Sequence, residues 1–146
     1  MEKDKKGRSY MINEEKSLNT LSIALWVTQA LLSVSFLCGA AMKLFQPVEQ
    51  LSAIWPWTAE VSPAFLAFTG VVDLLGGLGI ILPSLLRIKP WLTPVAALAM
   101  VAQMIGASAF HVMRGEGADI GANIVFALMA LFLGWGRWKK APVMPR

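Results

Sequence analysis

The sequence predicts an all-α membrane protein in which four transmembrane helices form an antiparallel up-and-down bundle with both termini cytoplasmic. The first observation is composition. Of the 146 residues, 56% are hydrophobic and 15% are charged, whereas an average soluble domain carries about 25% charged residues. The second observation is segregation, since four acids and five bases lie within the first sixteen residues and long apolar stretches follow. Each stretch approaches the roughly 20 residues that a helix needs to cross the hydrocarbon core.

The spans follow one another with short connections, except for a long connection between the first and the second. We place them at residues 21–42, 63–82, 92–110 and 120–135. The first is too long for the apolar core of a cleaved signal peptide, so we expect it to be retained. In the long connection, Leu51, Ile54 and Trp55 are expected to form one face of a short interfacial helix. The chain divides into a polar segment, a transmembrane domain and a basic tail, at 1–20, 21–136 and 137–146.

The lysines and arginines predict the orientation. Eleven of the thirteen lie in the N-terminal segment, the second connection and the C-terminal tail, and only Lys43 and Arg114 lie in the other two connections. Because positively charged loops stay in the cytoplasm, both termini are expected there. We therefore expect a multi-pass protein in the lipid bilayer of the cell membrane, the inner membrane of a bacterium. The net charge of +4 does not indicate nucleic-acid binding, since the bases form no basic helix or interleaved aromatic patch.

Asp73 interrupts the second predicted span near its centre, with Gly70, Gly76 and Gly77 beside it. A carboxylate at the bilayer centre costs about 2.5–3.5 kcal/mol on insertion scales, so it needs a partner, a proton or a function. One interpretation is a structural acid that fixes the helix register. The other is a proton acceptor, a ligand contact or an ion-pair partner. The glycines are either a face for close helix packing or the floor of a ligand site.

Each predicted span has one small or polar face, which should point into the bundle because lipid favours none of these residues. Counting the helix rise from the outer ends puts Ser33, Asp73 and Gln103 at similar depths of about 12–15 Å, so we expect one hydrogen-bonded layer. Above this layer, the mouth of an outward-opening polar funnel is expected to hold Lys43, His111, Arg114, Glu116, Asp119 and Asn123. A direct Lys43–Asp73 pair is geometrically strained and would need tilt or a helix offset, because a lysine side chain spans only part of the depth.

The sequence lacks the residue patterns of metal sites, redox cysteine pairs and catalytic or cofactor motifs. One histidine, His111, and one cysteine, Cys38, provide neither metal-ligand spacing nor a redox pair. We expect Cys38 to be a buried apolar thiol, and His111 to be a solvated helix cap or a proton-handling group. No motif for a cofactor or a catalytic site is present, so catalytic residues stay unknown. Redox chemistry would therefore need a diffusible quinone or a partner to carry the electrons.

Three segments resemble the DoxX-like membrane protein family. Residues 39–45 read GAAMKLF, residues 55–57 read WPW and residues 70–83 read GVVDLLGGLGIILP. In that family a small-residue segment ending in Lys-Leu-Phe closes the first helix, and an acid followed by glycines and Leu-Pro marks the second. Lys43 and Asp73 match these positions, with Asp73 in place of the common glutamate. The resemblance spans residues 24–136. The family name derives from a subunit linked to thiosulfate:quinone oxidoreduction, which implies quinone-associated redox work.

Three functions are compatible with these features. The leading hypothesis is a DoxX-like membrane subunit or ligand-binding accessory without catalysis of its own, with an outward-facing polar pocket around Asp73. The alternative is a quinone-coupled oxidoreductase subunit of the thiosulfate:quinone type, associated with a soluble or membrane oxidoreductase subunit. There Asp73 would handle the quinol proton, and Lys43, His111 or Arg114 would orient an anionic donor. The third is a transporter of a small anion or proton, for which four helices leave room only in a homo-oligomer.

Overall fold

The computed structural model describes the backbone of residues 1–146 and every side chain except those of Glu2 and Lys3. Its regular elements are all helical among the described residues, and four helices are long and apolar enough to cross a membrane. The α-helices are α1 (Glu2–Phe45), α2 (Val48–Ile54), α3 (Pro63–Leu86), α4 (Leu92–Met113) and α5 (Gly121–Trp135). Short 3₁₀ or π-helical turns follow at Pro56–Ala59, Gly117–Ile120 and Gly136–Lys140. The predicted all-α fold with four spans is therefore confirmed, and the cytoplasmic placement of the termini stays a prediction.

The four long helices pack in a closed ring, in the order α1, α3, α4 and α5. Neighbours run antiparallel, because Gln29 and Ser33 of α1 donate hydrogen bonds to the carbonyls of Ile80 and Gly77 in α3, in reverse order along the chain. The end of the bundle with the α1–α3 and α4–α5 connections is named the lid end. The opposite end, which carries the α3–α4 connection and the last residues, is named the tail end.

Helix boundaries differ from the prediction at two places that matter for the site. α1 begins at Glu2 rather than near residue 21, and residues 4–20 of this extension are exposed. α3 continues through Pro83 to Leu86, where we predicted an end at residue 82. A proline removes one helical hydrogen bond, but neighbouring helices and hydroxyl side chains compensate for that loss in a membrane bundle. Here Ser84 bonds Thr93 of α4 at 2.8 Å, within the last turns of α3.

Glycines bring α3 close to both of its neighbours. A Cβ on Gly77 would lie 2.9 Å from Leu37 Cγ of α1, and a Cβ on Gly76 would overlap the Met100 side chain of α4. The apolar core surrounds these contacts and includes Leu25, Leu32, Phe36, Ile80, Met100 and Leu133. This close approach brings Asp73 within reach of side chains from α1 and from α4.

The long connection folds over the lid end as α2 and a 3₁₀ turn. Leu51 of α2 is fully buried, and so is Thr58 in the 3₁₀ turn, which anchors the connection to the bundle. Ile54, which we predicted on the same face as Leu51, is 57% exposed instead. A seven-residue helix has fewer than two turns, and here it ends at Ile54 before the chain turns inward at Trp55.

Candidate functional site at the lid end

Asp73 lies at the centre of a buried polar cluster that joins three helices. Its side chain is 5% exposed, and its Oδ2 accepts a hydrogen bond from Lys43 Nζ of α1 at 2.7 Å. Its Oδ1 accepts a hydrogen bond from Gln103 Nε2 of α4 at 2.5 Å. These three residues are named the charge centre. A buried carboxylate with a cation on one oxygen and an amide on the other has the partners that an intramembrane acid needs.

The direct Lys43–Asp73 pair forms through the kind of helix offset that was expected to be necessary for it. The predicted depths were counted from the helix ends, as if α1 and α3 ended at the same level. In the structure α3 extends past the end of α1: a Cβ on Gly70 would lie 3.1 Å from Lys43 Cβ, so Lys43 is level with Gly70. Asp73 is thus about one helical turn from Lys43, and a lysine side chain covers that distance.

Ser33 does not belong to the charge centre, so the predicted layer of Ser33, Asp73 and Gln103 is wrong in one member. Its hydroxyl donates to the carbonyl of Gly77 at 2.9 Å, about one turn further towards the tail end than Asp73. The same axial offset between α1 and α3 explains the difference. Gly39, nearly two turns from Ser33, is the α1 residue beside the carboxylate, since its Cβ would lie 3.4 Å from Asp73 Oδ2.

Two tryptophans, which are named the aromatic lid, cover the charge centre. Lys43 Nζ lies 5.8 Å from the centroid of the Trp55 ring and 5.7 Å from that of Trp57, within the range of cation–π attraction. The lysine side chain consequently keeps only 13% of its exposure. The sequence predicted a polar funnel that opens outward. In the structure, Trp55 and Trp57 of the long connection lie over Lys43, one of the predicted mouth residues, so the charge centre is covered rather than open.

A second polar group ties the aromatic lid to the end of α4. Arg114 donates to Glu116 at 2.8 Å and to Glu60, beside the 3₁₀ turn, at 2.7 Å. His111 Nδ1 lies 2.7 Å from the second oxygen of Glu116, and the Trp57 ring meets the His111 ring edge-on at 6.3 Å. These four polar residues are named the latch. The predicted mouth residues His111, Arg114 and Glu116 therefore lie together, one layer outside the charge centre.

Hydrogen bonds within the latch shift two pKa values outside the membrane-spanning segments. The bonds to Glu116 and then to Glu60 raise the pKa of Arg114 above its ordinary value. The bonds from Arg114 and then from His111 lower the pKa of the Glu116 carboxyl below its ordinary value. Both shifts favour the charged forms of Arg114 and Glu116 at neutral pH.

Asn123 and Cys38 do not lie where the sequence predicted them. Asn123 belongs to an apolar groove of about 220 Å³ between α4 and α5, lined also by Met104, Ile105 and Ser108. None of the three charge-centre residues lines this groove. Cys38 is exposed rather than buried, since it lies on the outer face of α1. Among the described residues, no group of three His, Cys, Asp or Glu side chains is placed to bind a metal ion.

A comparison with protein families decides the classification. The DoxX-like family matches this chain over residues 27–133, most of its length and all of the charge centre. The chain belongs to the DoxX-like family. No curated protein and no solved structure matches it. The DoxX-like segment contains the whole aromatic lid and the latch, together with the three sequence segments that indicated the family.

The DoxX-like bundle has another polar cluster that the sequence reasoning missed. The sequence placed Arg137 in the basic tail at 137–146. Instead Arg137 is 4% exposed and donates to Oε1 of the fully buried Gln29 at 3.2 Å. A signal was present, because Ala130, Leu133, Gly134 and Arg137 follow the i, i+3, i+4, i+7 spacing of one helix face.

The charge centre of this DoxX-like protein has unused hydrogen-bonding capacity. Gln103 Oε1 is buried and has no hydrogen-bond partner among the described residues. An ammonium group carries three N–H donors, and Lys43 gives one of them to Asp73. The centre therefore combines a buried acceptor, additional donors and two flat aromatic faces within one small volume.

Proposed function

We propose that this DoxX-like protein is a non-catalytic membrane subunit or ligand-binding accessory whose ligand is held at the charge centre beneath the aromatic lid. The observation that carries the proposal is the buried Lys43–Asp73 pair with Gln103 Oε1 unpartnered beside it. A pair that served packing alone would be expected to have all its polar atoms satisfied, because buried unpaired acceptors are costly.

The geometry favours a flat ligand with a polar edge. Lys43 can donate a hydrogen bond to a carbonyl oxygen, and Gln103 Oε1 can accept one from a hydroxyl group. Trp55 and Trp57 offer ring faces for stacking. A quinone and its quinol have these features, so the residues present fit a quinone head group. When bound, a quinone would supply two-electron redox chemistry, and the residues of this chain would bind it and orient it.

A quinone-coupled oxidoreductase subunit is the second candidate. The observation that favours it is the carboxylate of Asp73, which lies beside a lysine and an amide in a site nearly closed to water. In such a site a carboxylate can exchange a proton with a ligand hydroxyl group at hydrogen-bond distance. The electron donor would be a separate oxidoreductase subunit. Deleting the gene should then slow quinone reduction in isolated membranes, and an unchanged rate would count against this candidate.

Asp73→Asn tests the proposal against the structural alternative. The amide keeps the size of the side chain but removes its charge, so we expect lost capture of ligand or partner with a folded bundle. Ser33→Ala is the matched control, because Ser33 is also buried and also joins α1 to α3, but it does not contact Asp73. Both variants are purified from native membranes and assayed for bound small molecules, co-purifying proteins and thermal unfolding. Intact capture with lost expression in Asp73→Asn would instead show that Asp73 serves the fold.

A further inference from the structure

The part of the tail end around Arg137 carries bases and no acids, and the nearest acids along α1, Glu14 and Glu15, lie in its exposed extension. Residues 17–29, 81–98 and 120–146, which form this end and the adjoining helices, contain no aspartate or glutamate. They contain six basic residues, which are Arg87, Lys89, Arg137, Lys139, Lys140 and Arg146. Five of them are exposed, where water and ions screen their charges. Arg137 is the exception, at 4% exposure.

Arg137 is held by neutral groups alone. Its Nε donates to Gln29, its Nη1 donates to the carbonyl of Ala141 at 3.2 Å, and its guanidinium lies 4.7 Å from the centroid of the Trp26 ring. Its Nη2 is buried and has no hydrogen-bond partner among the described residues. No described carboxylate forms an ion pair with it. A buried guanidinium therefore keeps a whole positive charge and an unused donor.

The backbone around Arg137 is arranged to hold it inside the bundle. The helix widens into a π-helical turn at Gly136–Lys140, a feature found often at functional sites. Gly136 lies against Leu25 of α1 so closely that a Cβ would overlap it. Gln29 is held in turn by its bond to the carbonyl of Ile80. Three helices thus fix a cation in the last turns of the fourth candidate span, Gly117–Lys140.

We propose that the tail end binds the phosphate of one anionic phospholipid, with the guanidinium of Arg137 as its ligand. Phosphate is the anion that a guanidinium contacts through two parallel N–H donors, and Nη2 is the donor that is available. Basic pockets between transmembrane helices bind anionic head groups in this way. Beyond Ala141, two hydrogen bonds with Arg87 hold the last residues, and none of the described bonds joins these residues to Arg137.

The test uses the full chain in detergent with defined lipids. Native mass spectrometry should show one retained molecule of phosphatidylglycerol on the wild-type protein, in excess over phosphatidylcholine at equal concentration. Arg137→Gln should reduce this retention about tenfold or more, and Arg137→Lys should restore it only in part, because lysine lacks the fork of two donors. Lys139→Gln is the matched control, since it removes an equal charge from an exposed neighbour, and its retention should stay within about twofold.

Each other outcome has a definite meaning. Equal retention by Arg137→Gln and the wild-type protein would overturn the proposal. Equal losses in Arg137→Gln and Lys139→Gln would also overturn it, because diffuse surface charge would then explain the binding. If Arg137→Gln fails to fold, thermal unfolding of the wild-type protein with added phosphatidylglycerol tests the proposal instead. Stabilisation by phosphatidylglycerol that persists in 0.5 M salt supports a buried site, and its loss in that salt contradicts one. Stabilisation by inorganic phosphate alone to the same extent would assign the site to free phosphate instead.

Discussion

Replacing Lys43 with methionine removes the cation of the charge centre and leaves Asp73 inside the bundle with Gln103 as its only polar partner. Breaking a buried ion pair by removing one partner costs about 3–5 kcal/mol. We expect about 3 kcal/mol here, at the lower end of that range, because the Lys43 side chain retains 13% of its exposure whereas Asp73 retains 5%. Methionine keeps most of the length of the aliphatic stem, so packing against the aromatic lid changes little.

The assay is equilibrium unfolding in mixed detergent micelles, followed by circular dichroism, for Lys43→Met, Asp73→Asn and the double variant. The double variant removes both charges, so it should be more stable than the sum of the single losses predicts, with a coupling of at least about 1 kcal/mol. Lys16→Met, on the exposed part of α1, is the control and should change stability by less than about 0.5 kcal/mol. A loss below about 1 kcal/mol in Lys43→Met, with no coupling in the double variant, would refute the buried pair.

Other parts of the structure give three further predictions. Gly77→Ala should destabilise the bundle by about 1–3 kcal/mol through overpacking against Leu37. Gly106→Ala, in open space on α4, is the control and should be neutral or stabilise the bundle by up to about 1 kcal/mol. Thermal unfolding compares the two variants. Glu116 has a lowered pKa, so its contribution to the stability of the latch is present above its ordinary pKa of 4.5 and is lost as the pH falls from there through the lowered pKa. Quenching of tryptophan fluorescence by acrylamide should then rise, and Glu116→Gln should remove this pH dependence. Gln29→Leu should destabilise by about 1–3 kcal/mol because it leaves buried donors and acceptors unpaired, as unfolding in detergent would show.

The sequence predicted the four spans because hydrophobic length and charge segregation act locally along the chain. It also identified the residues of the charge centre, since an acid such as Asp73 inside an apolar helix is rare enough to attract attention by itself. The shared spacing of small residues on α3 then indicated which face pointed inward. Each of these features can be recognised from the sequence of a single helix.

The parts that sequence reasoning missed depend on how two helices sit relative to each other. The offset between α1 and α3 brings Lys43 to Asp73 and removes Ser33 from that layer, and it results from packing at Gly70 and Gly77 rather than from either helix alone. The closed aromatic lid likewise depends on Trp57 contacting the end of α4. Arg137 was grouped with the other bases of the C-terminal tail, although its spacing placed it on the inner face; arginine is rarely buried, so burial was not considered for it.

The charge centre is proposed to bind a ligand, and native mass spectrometry of the protein extracted gently from its own membrane gives the sharpest test of this claim. Quinones are extracted from the same preparation and quantified per protein chain, for the wild-type protein and for folded Asp73→Asn. We predict a small molecule at near one-to-one stoichiometry on the wild-type protein and its loss from Asp73→Asn. Bulk phospholipid alone on both proteins would contradict the claim and would leave the Lys43–Asp73 pair as a packing element between α1 and α3.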